Sequence, residues 1–357
     1  MLVSVESSSF AISGIFLERE VNIMNSILAM FYLLGLKIKE TLYNLGILSL
    51  KTLQCKVISV GNLTVGGTGK TPVVEYVAKY LAQKHKVAIL TRGYKRENKA
   101  AILDVTPESN SKECGDEAVL LARKTNCPVI AAVNRYKGGL HAMEKFGAKF
   151  CVLDDGFQRR LSLYRNMEFL VIDASNPFGN GKLLPAGILR EKIENIAAAD
   201  VIIITKTDEA LNMEELLATI REWNDFGEIV ESIYEPKELY NVFDRNEKLP
   251  LSAVTGKKAF ALSAIGNPKY FRKVISGLNP CGTGWLSYRD HYAYSEKDIK
   301  EINEKSESSD IIITTEKDAV KLELLDGSKF SKKIYALGIE LKILKGEREL
   351  QDKINIT

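Results

Sequence analysis

The stretch Asn62–Pro72 reads NLTVGGTGKTP, and its reading decides the fold. A phosphate-binding loop of the common spacing G-x-x-x-x-G-K-[ST] has glycine five positions before its last glycine. Here that position is Thr64, while Gly66, Gly67, Gly69, Lys70 and Thr71 match the remainder. The segment before it, KVISVGN, is a β-branched run, and the segment after it, TPVVEYVAKYLAQKH, carries apolar residues at helical spacing. A strand, a glycine-rich turn and a helix in this order build the phosphate cradle from backbone N–H groups and a helix N-terminus. The turn comprising Gly66, Gly67, Thr68 and Gly69 is thus read as a nucleoside triphosphate site of a variant class. In it Lys70 reaches the β- and γ-phosphates and Thr71 ligates Mg²⁺.

Outward from the loop, apolar runs alternate with helical stretches: KVAILTRGY, CPVIAAVN, AKFCVLDDG, MEFLVIDAS and ADVIIITKTD. Continuous apolar strands separated by helices predict an α/β fold, a P-loop NTPase-like core with a mostly parallel sheet covered by helices. Between Glu228 and Pro250 the pattern loosens and Pro236 interrupts it, which reads as a connection to a smaller second α/β domain. The expected division is an N-terminal extension and helix over 1–50, a P-loop core over 51–235, and a linker with C-terminal α/β domain over 236–357.

With 357 residues, 45% hydrophobic, the chain is long enough for a substantial core. A formal net charge of +3 excludes the strongly basic balance of a nucleic-acid-binding protein. The five cysteines are scattered without C-x-x-C spacing, which fits reduced thiols and no zinc site. Val21–Leu36, VNIMNSILAMFYLLGL, carries no charge and is followed by lysines spaced among leucines. It is shorter than the roughly 20 residues a bilayer span requires. Two readings stand, an amphipathic helix in a membrane interface and a helix packed on the core. The segment before Met24 fits neither and reads as a disordered extension.

An apolar strand ending in Asp154 and Asp155, followed by Gly156, offers paired carboxylates for a metal beside the loop. Thr205–Asp208, TKTD, matches the pattern with which many GTPases read guanine, and supports a rival reading as a regulatory P-loop GTPase or metallochaperone-type NTPase. A third reading is a peripheral membrane ATPase that acts as a binding module. His85 and His141 read as surface residues, whereas His291 lies in YRDHYAYS among Asp290, Tyr292 and Tyr294.

Taken in order, SVGNLTVGGTGKTP, TRGYKR, GDEAVLLA, LDDGFQRR, LLPAGILRE, DHYAYS and TTEKDAVKL closely resemble the tetraacyldisaccharide 4'-kinases of lipid A synthesis, from about Ser59 to Leu322. The resemblance implies transfer of the γ-phosphoryl of ATP, with Mg²⁺, to the 4'-hydroxyl of an acylated glucosamine disaccharide 1-phosphate. It implies a place at the cytoplasmic face of the bacterial inner membrane, contact with the membrane surface through the N-terminal helix, and no obligate protein partner. It also implies Asp116 as catalytic base assisted by His291. Asp154, Asp155 and Glu191 would surround the metal with Thr71, and Arg92, Tyr94 and Arg190 would lie near phosphates or substrate.

Overall fold

The computed structural model describes residues 24–39, 41–43, 45–159 and 162–356. The expected extension before Met24 lies outside the described residues. Thirteen strands form one sheet: β1 (Lys56–Gly61), β2 (Val87–Thr91), β3 (Ile102–Val105), β4 (Val129–Ala132), β5 (Phe150–Asp154), β6 (Met167–Asp173), β7 (Val201–Thr205), β8 (Glu228–Asn241), β9 (Lys248–Leu249), β10 (Lys258–Ser263), β11 (Gly282–Ser287), β12 (Ile311–Thr315) and β13 (Ile334–Lys345). Their order is β11-β10-β12-β13-β8-β7-β6-β1-β5-β2-β4-β3, with β9 beside β8. The strands β1, β5, β6 and β7 pair in parallel, as do β10, β11 and β12. Every residue of β2, β5, β6 and β7 is buried, which is why their sequences read as unbroken apolar runs.

The segment read as a connection is instead β8, a 14-residue strand that pairs antiparallel with β13 and parallel with β7. It carries proline because Pro236 sits opposite Ile339 where the register with β13 shifts, so no ladder hydrogen bond is lost there. The expected boundary near residue 235 therefore falls inside one strand. On one side of this ribbon, Val73, Val77, Ile89, Val152 and Phe169 share a core. On the other, Phe260, Leu262, Ile312 and Ile334 form a second one. The last helix, Glu347–Ile356, returns to the first core through Leu350 and Ile354.

Residues 24–39 are helical. Tyr32 Oη donates to the Arg190 carbonyl at 2.8 Å and Lys39 Nζ to the Gln158 carbonyl at 2.8 Å, so two polar contacts tether the helix to the first unit. Ala29, Leu33 and Leu36 are partly buried, whereas Met24, Ile27, Leu28, Met30, Phe31, Leu34 and Ile38 are all about half exposed. Among the described residues no helix is long and apolar enough to cross a membrane. All five cysteines are free, and Cys151 is buried in β5.

Candidate active site

Between the two units lies a cavity of about 540 Å³. Its floor is the loop that leaves β1 and enters the helix Lys70–Ala82. Gly66 and Gly69 take the left-handed φ values of +105° and +83° that favour glycine. Any side chain on Gly69 would strike the Tyr234 hydroxyl. Thr64 needs no such freedom. It forms a backbone bridge to Leu189, and its carbonyl accepts from Asn62 Nδ2 at 2.7 Å. A glycine five positions before Gly69 is dispensable because that position is held as an edge bridge.

The loop is clamped from behind by the end of β7. Thr205 Oγ1 donates to the Thr68 carbonyl at 3.0 Å and Lys206 Nζ to the Gly67 carbonyl at 3.0 Å. A peptide N–H points opposite its carbonyl, so anchoring Thr68 aims the Gly69 N–H toward the cavity. Lys206 also pairs with buried Asp173. Asp208, which would read guanine in the rival reading, instead accepts from Tyr270 Oη at 3.2 Å and Lys273 Nζ at 3.0 Å on the helix Pro268–Ser276. The TKTD segment is thus a loop clamp joined to the second unit, a role its sequence did not announce.

In front of the loop, Lys70 Nζ donates to Asn62 Oδ1 at 3.0 Å and lies 3.5 Å from Asp155 Oδ1. Arg190 grips both Asp155 oxygens at 3.0 and 2.8 Å and also reaches Asn62 Oδ1. Burial alone would raise the Asp155 carboxyl, but Lys70 and Arg190 outweigh it and hold it well below the usual range. Asp154 differs. It accepts from Thr91 Oγ1 at 3.0 Å and forms no ion pair with a described residue. Burial first, then Glu117 and Asp155, push it up to about 7.

Among the described residues no group of three or more His, Cys, Asp or Glu side chains is placed to hold a metal ion. A Mg²⁺ bound with a nucleotide needs only one or two carboxylates, since phosphate and water oxygens complete its shell. Asp154, a buried carboxylate without a cation in contact, fits that need, and Thr71 lines the same cavity. Glu191, which the resemblance also places at the metal, is buried nearby. It is absent from the cavity wall, where Arg190 is present, and it accepts from Asn195 Nδ2 at 2.6 Å.

The far wall brings in the second unit. A side chain on Gly266 would collide with the Gly67 amide, so the turn Ile265–Asn267 lies directly on the phosphate loop. His291, at φ +56°, puts Nδ1 3.1 Å from Asp116 Oδ2. Asp116 opens the helix Asp116–Thr125 of the first unit, 175 positions away in sequence. Burial would raise its carboxyl; the His291 hydrogen bond and the charge of Lys317 outweigh burial and bring it down to about 2. Tyr94 meets the His291 ring edge-on at 5.0 Å, and Tyr94 and Arg92 both line the cavity.

Two participants escaped the sequence reading. Asn62 precedes the glycines and accepts from both Lys70 and Arg190. Lys317 lies within TTEKD and contacts Glu117, Asp290 and His291. The position of Lys317 two residues beyond a buried strand was the available signal. Below them Lys124 joins Glu75, Glu316 and the Ile339 carbonyl, the last made available where β13 shifts register opposite Pro236.

Residues 21–356 match the family model for tetraacyldisaccharide-1-P 4'-kinase. The tetraacyldisaccharide 4'-kinase of Halothermothrix orenii is 35% identical over 355 residues, covering 92% of this chain and 91% of the relative. That of Aquifex aeolicus is 34% identical over 316 residues, covering 87% and 91%. The crystal structure of LpxK from Aquifex aeolicus in complex with ATP superposes with a TM-score of 0.72 at 33% identity, covering 92% of this chain and 96% of that one. Matched along nearly its whole length by the family model and at one third identity by these relatives, the chain belongs to the tetraacyldisaccharide-1-phosphate 4'-kinase family.

Proposed function

We propose that this protein transfers the γ-phosphoryl group of ATP to the 4'-hydroxyl of an acylated glucosamine disaccharide 1-phosphate. The observation that carries the reading is that Lys70 and His291 line one cavity, with Asp116 Oδ2 3.1 Å from His291 Nδ1. Backbone N–H groups of Gly66–Gly69 would hold the phosphates, with Lys70 released from Asn62 and Asp155 to the β- and γ-oxygens. Thr71 and Asp154 would hold Mg²⁺, which when bound supplies charge neutralisation across the phosphate oxygens. Arg190 would exchange part of its grip on Asp155 for phosphate, and Arg92 and Tyr94 would face the sugar.

Asp116 takes the proton of the 4'-hydroxyl. A loose phosphoryl transfer releases that proton late, so a positioned carboxylate suffices even when its basicity is low. Most of the acceleration then comes from positioning and charge stabilisation. The two cores on either side of the β8–β13 ribbon act as two lobes, with the last helix, Glu347–Ile356, belonging to the first. The half-exposed apolar side chains of residues 24–39 rest on the cytoplasmic surface of the inner membrane, where an acceptor with four acyl chains resides.

Incubation with γ-labelled ATP and the disaccharide 1-phosphate, followed by separation of lipids, tests the reading. Labelled lipid is expected, with a loss on the order of 10³-fold in Lys70→Ala. Release of free phosphate without labelled lipid would overturn it in favour of an ATPase. A preference for GTP would favour a switch.

A further inference from the structure

Lys317 stands at the start of the helix Glu316–Leu322, directly after β12, in the second unit. Its ammonium has three protons, and three acceptors surround it: Glu117 Oε1 at 3.1 Å, His291 Nε2 at 3.1 Å and Asp290 Oδ1 at 3.5 Å. An ammonium can only donate. His291 Nε2 must therefore present its lone pair, and the ring proton belongs on Nδ1, where it is donated to Asp116 Oδ2 at 3.1 Å. A proton on Nε2, whether in the other tautomer or in the imidazolium, would set two donors against each other at 3.1 Å.

We infer that Lys317 is a positioning residue that locks His291 as the neutral Nδ1–H tautomer, and so leaves Asp116 as the one group of the pair free to accept the substrate proton. The three carboxylates Glu117, Asp116 and Asp290 outweigh the burial of Lys317 and raise its pKa above the ordinary lysine value, so the ammonium persists at working pH. The ring is held from its other sides as well. Its backbone N–H donates to Asp290 Oδ1 at 3.0 Å, and Tyr94 stands edge-on to it. Asp116 Oδ1 meanwhile accepts from the Glu117 amide at 3.0 Å, which fixes the carboxylate plane. Lys317 lines the same cavity, and its polar contacts there are Glu117, Asp290 and His291, so it acts through His291 and Glu117 across the two units.

The kinetic consequence rests on the proposed kinase reading, whereas the tautomer does not. The full-length protein labelled with ¹⁵N-histidine gives a long-range ¹H–¹⁵N spectrum in which protonated and bare ring nitrogens are distinct. Only three histidines contribute, and His291 is assigned by the signal missing from His291→Asn. At neutral pH without ligand, His291 is expected to show protonated Nδ1 and bare Nε2. Lys317→Met should protonate Nε2, whereas Lys317→Arg, which keeps a donor, should retain the wild-type pattern. In the lipid kinase assay Lys317→Met should lose about 10-fold to 100-fold in kcat, with KM for ATP changed less than about 2-fold, and Lys317→Arg should restore most of it. A wild-type spectrum with protonated Nε2, or an unchanged spectrum in a folded Lys317→Met, overturns the inference. Should Lys317→Met not fold, the wild-type and Lys317→Arg spectra decide alone. Absence of lipid kinase activity in wild type would sink the functional reading and leave the tautomer standing.

Discussion

The strands β7 and β12 end in nearly the same words, VIIITKTD and IIITTEKD, and do different work. After β7 the chain enters a tight turn with Lys206 at φ +54°, which folds the lysine back beneath the phosphate loop of its own unit. After β12 a true helix begins, with Thr315 as its N-cap, and Lys317 in the first turn reaches across to Glu117 and His291. The aspartates differ too. Asp208 is partly exposed and meets Lys273, whereas Asp318 is fully buried and accepts from the Ala264 amide at 2.9 Å and Thr315 Oγ1 at 2.7 Å. The lesson is that the backbone path after a parallel strand, more than residue type, decides whether a strand-end lysine serves the loop or the opposite wall.

Removing Lys206 should give the largest effect, because it strands Asp173 as a buried, unpaired carboxylate. Lys206→Met is expected to cost about 3–5 kcal/mol in urea unfolding and to weaken nucleotide binding. A cost below about 1 kcal/mol would show that the clamp is not structural and would erase the contrast with β12. Asp318→Ala should cost about 3 kcal/mol, since it frees the Ala264 amide and leaves Lys321, 2.7 Å away, without its partner. If nucleotide affinity falls with it, the turn Ile265–Asn267 is held on the phosphate loop by this aspartate.

The Asp116 carboxyl, at about 2 against an ordinary 3.8, should contribute roughly 2 kcal/mol at neutral pH. Its folded value lies below the unfolded one, so that stability is present above about pH 4 and is lost as pH falls through about 2. Unfolding curves of wild type and Asp116→Asn should differ at pH 7 and converge near the acid end. A constant gap across that window would place the coupling to His291 and Lys317 in doubt. The smallest effect belongs to Asp208→Asn, whose partner Lys273 is 45% exposed; the cost should stay within about 1 kcal/mol. Competition between ATP and GTP should be unchanged in this variant. A shift in that preference would return TKTD to base recognition and make the two strand ends more alike than the contacts imply.

The N-terminal helix sharpens what pattern can and cannot say. Its uncharged run allowed interfacial and packed readings, with composition favouring the packed one; in the structure Tyr32 and Lys39 tether a helix on which Met24, Ile27, Leu28, Met30, Phe31, Leu34 and Ile38 are about half exposed. Likewise the polar, proline-interrupted segment after Glu228 looks like a connection, yet pairing with β13 and a register shift at Pro236 make it a strand.

By itself the sequence determined what is written locally: the strand–loop–helix around Lys70, the parallel α/β class, and the acidic strand end at Asp154 and Asp155. Each depends on residues within a few positions of one another, whose spacing dictates backbone geometry before any tertiary contact forms. Its ordered motifs also carried the family resemblance. The tertiary structure gave the Asp116–His291 pairing, which the resemblance implies, its contact across 175 positions, and it alone decided that Lys317 meets Glu117 across 200. Contacts of that separation have no period or spacing; they exist because the β8–β13 ribbon sets two cores side by side and brings their strand ends to one cleft.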